Sequence, residues 1–271
     1  MTVISIQNPD DPRIAAYRDI KERDLTGRDG LFIAEGAIVV RQLAGPLSLA
    51  TPRGLLLAEN RIDGLSDVTA ALEGRAPVYV ASQAVLDSIA GFALHRGILG
   101  LGERPPRHDL DAVAPPTDEA AVVLAASGIG NHDNMGALFR NAAGFGANAV
   151  VLDERCCDPF YRKAIRVSAG AVLRTPTAYA SSVGDMVVRL ERQGFEVIAL
   201  TPTAEERLAD LKPAPRTAVL VGSEGPGLDP SVIARCRAVS IPMAAGFDSL
   251  NVATAAAIAL HHVRTGRSPE R

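Results

Sequence analysis

Tryptophan is absent from this chain, and aromatic residues make up only 4% of it. A platform that grips single-stranded nucleic acid by stacking needs about one ring per base, so that device is excluded as the main one. Cysteine is scarce too: Cys156, Cys157 and Cys236 are an odd set with two members adjacent, a poor basis for a disulfide framework. The adjacent pair also lacks the C-x-x-C spacing of a zinc site, so no metal is expected. A reducing, cytoplasmic setting fits this cysteine usage. No stretch approaches the ~20 apolar residues of a membrane span, and the start of the chain has no basic patch followed by a long apolar run. Neither export nor membrane anchoring is expected. A surplus of positive charge is missing as well, since 28 Lys and Arg against 31 Asp and Glu leave a net charge of −3. Coating nucleic acid by bulk electrostatics is therefore excluded, and any grip on phosphates must be local.

What is present is ordinary globular material, 47% hydrophobic and 22% charged over 271 residues, enough for one large domain or two of usual size. The clearest seam is residues 104–118, where Pro105-Pro106 and Pro115-Pro116 bracket a polar stretch unsuited to a helix or a central strand. Before it the pattern is mixed α/β: a helix over residues 13–23, strands over 31–34 and 54–58, and helices over 37–43 and 68–72. After it, apolar strand-like runs at 121–126, 148–152, 195–200, 217–222 and 238–242 alternate with helical segments. That alternation predicts a parallel sheet covered by helices on both faces. In the first of those helices Met135, Leu138, Phe139 and Ala142 share one face and Arg140 points off it. The last helix, residues 250–264, is dominated by small side chains that permit close approach of a neighbour.

Ligands of open parallel sheets bind in loops beyond the carboxyl ends of the strands, and three such loops here are rich in glycine and small polar residues. The first runs Ser127-Gly128-Ile129-Gly130-Asn131-His132-Asp133-Asn134-Met135-Gly136 into the helix bearing Arg140. Either Asp133 or Asn134 suits the cap of that helix, and an isolated Asn is more often a cap than a ligand. The second is Gly222-Ser223-Glu224-Gly225-Pro226-Gly227-Leu228. Its G-x-x-G-x-G order, with a proline inside, departs from the G-x-G-x-x-G of a dinucleotide site, so a nucleotide-dependent oxidoreductase survives only as a weaker alternative. The third runs from Ile241-Pro242-Met243 to Ser249-Leu250-Asn251-Val252, with Asp248 read as a helix cap.

Taken in order, Asn134-x-Gly136-x-x-x-Arg140, then Gly-Ser-Glu-Gly-x-Gly-Leu, then Ile-Pro-Met with Ser-Leu-Asn-Val, the chain resembles the SpoU (SPOUT, TrmH-like) family of RNA 2′-O-ribose methyltransferases. The stretch from Arg28 to Gly36 and the segment Ser168-Ala169-Gly170-Ala171 resemble it too, while Asp248 stands where the family often has Glu. The resemblance implies an α/β fold: a smaller N-terminal ribosomal-protein-like α/β/α substrate-binding domain over residues 1–108, a Pro-rich linker over 109–118, and a SPOUT methyltransferase domain with parallel sheet and deep trefoil knot over 119–271. It implies S-adenosylmethionine as methyl donor, held by Thr201, Gly222, Ile241, Ser249 and Leu250, with Gly222 where a side chain would clash. It also implies a homodimer whose active site is completed across the interface, with tRNA or rRNA as substrate.

Among the residues the resemblance marks as catalytic, Arg140 is central. A guanidinium keeps its protons in proteins, which suits it to clamping a phosphate rather than acting as a base. Asn134 and Asn251 are expected to hold loops or ribose, and Glu224 to anchor Arg140 or a backbone amide. His132 is a weaker candidate base, and His261-His262 read as a surface pair. Two basic clusters are candidate phosphate contacts: Arg13, Arg18, Lys21, Arg23 and Arg28 in the N-terminal part, and Arg155, Arg162, Lys163 and Arg166 further on. A charge run is more often a solvated face. Beside the oxidoreductase, a catalytically silent RNA-binding relative is the other alternative, against which the retained Asn134, Arg140, Glu224 and Asn251 speak.

Overall fold

A computed structural model describes residues 3–18, 30–90, 96–245 and 247–266. The chain divides into two compact units, Met1–Pro105 with Pro159–Arg174, and Pro106–Asp158 with Thr175–Arg271. The basic segment carrying Arg162, Lys163 and Arg166 thus belongs to the first unit, although it lies in sequence within the second.

The first unit is built on β1 (Val3–Ile6), β2 (Leu31–Glu35), β3 (Thr51–Ala58), β4 (Val78–Ala81) and β5 (Ile98–Glu103), in the order β1-β4-β3-β5-β2. The pairings of β4 with β1 and β3 are parallel, and those of β5 with β3 and β2 antiparallel. One face is closed by Ile14, Tyr17, Leu86 and Ile89, and Val40 and Leu43 of the helix Ala37–Ala44 meet β5 on the other. The sequence reading missed β5, whose Ile-Leu-Gly-Leu-Gly-Glu looks like loop. Its glycines have a steric reason: a Cβ on Gly102 would stand 2.3 Å from the Phe32 ring, and one on Gly100 3.1 Å from Leu43, so they admit large neighbours to the sheet surface. Strands β1 and β4 were missed as well, each being only four residues long. The helix expected over 13–23 is, in its described part, a 3-10 turn Pro12–Tyr17. Arg28, Lys21 and Arg23 lie outside the described residues.

Glu35, at the end of β2, is buried and accepts from Arg162 Nη1 at 3.0 Å, with Arg166 at 3.9 Å. Both guanidiniums, expected as candidate phosphate contacts, thus face a carboxylate that must be neutralised where it sits, Arg162 at hydrogen-bond distance and Arg166 further off. Lys163, on the same short helix Arg162–Val167, is half-buried. In the matching segment Ser168-Ala169-Gly170-Ala171, Gly170 has φ +81°, and a Cβ there would lie 2.8 Å from Gln42.

The second unit holds six parallel strands, β6 (Ala121–Ala126), β7 (Ala149–Asp153), β8 (Thr177–Ala180), β9 (Glu196–Leu200), β10 (Arg216–Val221) and β11 (Arg237–Val239), in the order β11-β9-β10-β6-β7-β8. β6, β7 and β10 are buried along their whole length, which is why they read as continuous apolar runs. Alternate residues such as Val123, Ala125 and Leu220 pack with Met186, Val187 and Leu190 of the helix Val183–Arg192. The helices His132–Gly144 and Val252–Thr265 pack on each other, and Asn141 Nδ2 donates to the Ala253 carbonyl at 2.7 Å. The sheet grows from β6 through β7 to β8 on one side and restarts on the other with β9, β10 and β11. The crevice at that reversal lies between the carboxyl ends of β6 and β10.

Residues 109–118, expected as a linker, are packed into this unit. Leu110 is buried in the core, and the buried Arg216 donates to the carbonyls of Pro115, Pro116, Glu119 and Gln193 while its guanidinium lies 4.3 Å from the Phe195 ring centroid. Proline lacks a donor but keeps its acceptor, so a stretch that cannot join a ladder is instead gathered by one side chain. Replacing Arg216 by Met strands those carbonyls and is expected to lower the unfolding free energy by roughly 2–4 kcal/mol. Denaturant titration checks this, and a loss below about 0.5 kcal/mol, the usual limit for a neutral surface change, would contradict it.

Candidate active site

The loop after β6 is held from beneath by Asp153, the last residue of β7. Its buried carboxylate accepts from Ser127 Oγ at 2.6 Å, from Gly128 N at 2.9 Å and from Arg155 N at 3.2 Å. Cys156 adds a second tie, donating to the Ala126 carbonyl and accepting from Ile129 N. Burial pushes its thiol up to about 12, so it serves as a packing group rather than a nucleophile. Sequence reasoning did not single out Asp153, since one acidic residue ending a strand carries no pattern.

Asn131, not Asp133 or Asn134, caps the following helix, accepting from the amides of Asp133 and Asn134. That leaves the buried Asn134 side chain free to turn into the crevice. Its Nδ2 donates to Glu224 Oε1 of the β10 loop in a short hydrogen bond, and its Oδ1 accepts from Asn251 Nδ2 at 2.8 Å. Asn251 Oδ1 in turn accepts from Ala253 N at 3.0 Å and Thr254 N at 3.3 Å, capping the last helix. The carboxylate at one end and the helix amides at the other fix the orientation of both side-chain amides, because an acceptor-only group can face only a donor. Three loops distant in sequence are thereby joined by one directed chain of hydrogen bonds. Two expectations are corrected here: Glu224 holds Asn134 rather than Arg140, and the cap of the last helix is Asn251 rather than the exposed Asp248.

Thr201, Gly222, Ile241, Ser249 and Leu250 all line one cavity of about 680 Å³, together with Glu224 and Asn251. Its size falls in the usual range for a small-molecule site. Val221, Leu228, Val239 and Met243 add apolar wall beyond the five residues expected to hold the donor. A smaller cavity of about 260 Å³ is lined by Gly128, Ile129, Gly130, Asn131, Asn134, Ser223 and Glu224. Ser223 and Glu224 border both spaces.

Gly222 is required by its own loop rather than by a ligand. A Cβ there would stand 2.6 Å from Gly227 C and Leu228 N, where the loop folds back through the Ser223 and Gly227 bridge. This hairpin-like return also removes the ground for a dinucleotide site, whose glycines must open directly into a helix.

The structure brings Asn134, Glu224 and Asn251 together but does not bring Arg140 to them. Arg140 is exposed, six residues beyond Asn134 on the same helix, about 9 Å along its axis, and it lines neither cavity. His262 Nε2 pairs with the Leu211 carbonyl at 2.9 Å, and His261 packs edge-on to Phe145. Among the described residues, no group of three or more His, Cys, Asp or Glu is placed to hold a metal ion.

The model of the SpoU rRNA Methylase family matches residues 121–261, the stretch containing all three loops. The chain belongs to the SpoU family of RNA methyltransferases. An uncharacterized tRNA/rRNA methyltransferase of Mycobacterium bovis is 38% identical over 98% of this chain and 96% of its own length. An AdoMet-bound rRNA methyltransferase from Sinorhizobium meliloti shares the fold, with a TM-score of 0.79 at 24% identity over 97% of this chain and 98% of that one. An RNA 2′-O ribose methyltransferase superposes with a TM-score of 0.77 at 26% identity, covering 97% of this chain and 99% of that one. These relatives match the chain over both units.

Two glycines of the SpoU loop separate steric from conformational need. Gly225 has open space around it but φ +89°, whereas Gly222 meets backbone. Gly225→Ala is expected to cost about 1–2 kcal/mol through its left-handed backbone, and Gly222→Ala more, because backbone cannot yield as a flexible side chain does. Equal or reversed losses in thermal unfolding would contradict the assignment.

Proposed function

We propose that this chain transfers a methyl group from S-adenosylmethionine to a ribose 2′-hydroxyl of tRNA or rRNA. The observation that carries the reading is the hydrogen-bonded chain of Glu224, Asn134 and Asn251 at the rim of the larger cavity. The cavity suits the donor: Val239, Ile241, Met243 and Leu250 offer apolar wall, and Thr201 and Ser249 offer hydroxyls. Bound there, S-adenosylmethionine supplies an electrophilic methyl group. The residues of this chain mainly position the reactants. Glu224 sets a negative charge at the rim, where a sulfonium is favoured over a neutral competitor. Asn134 and Asn251 hold the loops in register so that the acceptor hydroxyl is presented in one orientation.

Within one chain Arg140 lies away from that cluster, so we infer a homodimer in which the partner subunit's Arg140 completes the site. There the guanidinium clamps a phosphate beside the target ribose and favours negative charge developing on the 2′-oxygen, while the hydroxyl proton passes to that phosphate or to water. Support comes from the exposed apolar Phe247, Leu250 and Ile258 on the third loop and last helix. The C-terminal segment is further proposed to form the trefoil knot. The supporting feature is that β11 is an edge strand, yet the helix after it packs back on β6, β10 and the His132–Gly144 helix. The N-terminal unit is proposed as the RNA-binding domain. The three cysteines are free thiols, in keeping with work in a reducing cytoplasm, and no described helix is long and apolar enough to cross a membrane.

Radiolabelled methyl transfer into bulk RNA, followed by mapping of ribose methylation, is the direct test; label on bases alone, or none, would overturn the reading. Arg140→Ala and Asn134→Ala are each expected to be inactive alone. Mixed in equal amounts and allowed to exchange subunits, they should recover about a quarter of wild-type activity, because half the dimers are mixed and each of those holds one intact site. No recovery would place Arg140 in the site of its own chain.

A further inference from the structure

Of the exposed arginines of the second unit with no ion pair among the described residues, which include Arg140, Arg192 and Arg264, Arg155 stands beside the first loop. Arg189, Arg207, Arg235 and Arg237 each face a carboxylate, and Arg216 is spent on carbonyls. Arg155 is exposed and has no ion pair among the described residues. The nearby Asp153 carboxylate is buried and accepts from Ser127, Gly128 and the backbone amide of Arg155 itself. These bonds fix the backbone of Arg155 against the first loop and leave its guanidinium charge uncompensated.

The guanidinium is not adrift. A Cβ built on Gly128 would lie 3.7 Å from Arg155 Nη2 and 3.8 Å from its Cζ, and 3.3 Å from Ser223 Cβ. Gly128 and Ser223 line the smaller cavity, whose other walls include Asn134 and Glu224. A cation therefore stands at the edge of the space that adjoins the larger cavity. Because Gly128 has no side chain, no Cβ stands between its backbone and that guanidinium. In a protein of net charge −3, an uncompensated arginine at such a rim is the kind of local positive charge that phosphate recognition needs.

We propose that Arg155 is an RNA-positioning residue that grips a backbone phosphate flanking the nucleotide seated in the smaller cavity. This rests on the methyltransferase reading above for the identity of the ligand as RNA. The structure separates Arg155 from Arg162 and Arg166, its neighbours in sequence, which are turned toward Glu35 in the other unit.

The test uses the full-length protein with a pool of tRNA and rRNA fragments, measuring RNA affinity against salt and S-adenosylmethionine affinity in parallel. Arg155→Ala should bind RNA about tenfold more weakly, with the slope of log affinity against log salt reduced by about 0.7–0.9. Its donor affinity should be unchanged, which also reports an intact fold. Arg155→Lys should regain the slope but only part of the affinity, since an ammonium cannot make the bidentate contact. An unchanged slope in Arg155→Ala, a lysine variant that does not regain it, or a loss confined to the donor would overturn the proposal. If the alanine variant behaves as expected but wild-type protein binds no donor, the methyl-transfer reading fails and the phosphate contact stands. Wild-type protein that binds no RNA overturns both.

Discussion

The site depends on one directed run of hydrogen bonds, from the amides that open the last helix, through Asn251 and Asn134, to the carboxylate of Glu224. Every donor in it points toward the carboxylate, so it begins at the positive end of a helix and finishes on a negative charge, an order that both ends favour. The two central amides have no second way to satisfy those ends. Asn134 is buried, so breaking either of its contacts leaves a polar group away from water, which costs more than the bond contributes when made.

That run can form only because the sheet delivers its loops to one place. β6 and β10 are neighbours in register from Ala121 with Arg216 to Ala126 with Val221, so they end at the same level. From there their chains continue to different faces, one into the His132–Gly144 helix and the other toward Val232 and Ile233, which pack with Met186 and Leu190. Asp153 at the tip of β7 and the Gly222 return at the tip of β10 stiffen the two lips. Rigid lips on a buried parallel sheet are what positioning chemistry requires, since small misplacements of reacting groups are costly.

Much of the second unit was readable from the sequence because β6, β7 and β10 are buried on both faces and therefore apolar throughout, whereas β8, four residues long and buried only at alternate positions, was missed. The five residues expected to hold the donor, all at strand ends or in loops, line a common cavity. What escaped reading was decided by contacts between distant residues. β5 was hidden by glycines whose purpose is visible only beside Phe32 and Leu43. The cap, expected at Asp133 or Asn134, falls on Asn131, and only the fold shows the Asn134 side chain bonded to Glu224 instead. Arg162 and Arg166 looked like solvent-facing charge, and only the fold reveals Glu35 opposite them. The stretch between the proline pairs, expected to suit no helix, holds the short helix Leu110–Val113, and nothing in the pattern shows that Arg216 would gather the carbonyls of Pro115 and Pro116.

The excursion of residues 159–174 into the first unit bears on how the chain matures during synthesis. Domains tend to fold as units in the order in which they leave the ribosome, yet here the earlier unit lacks Phe160, the ring that packs on Phe32, until residues 106–158 of the later one have been made. Before Arg162 emerges, Glu35 has no guanidinium to accompany it into the interior, and an unaccompanied carboxylate resists being buried. Nascent chains should therefore keep the first unit open until the segment ending at Arg174 arrives, making its closure a late event rather than an early one.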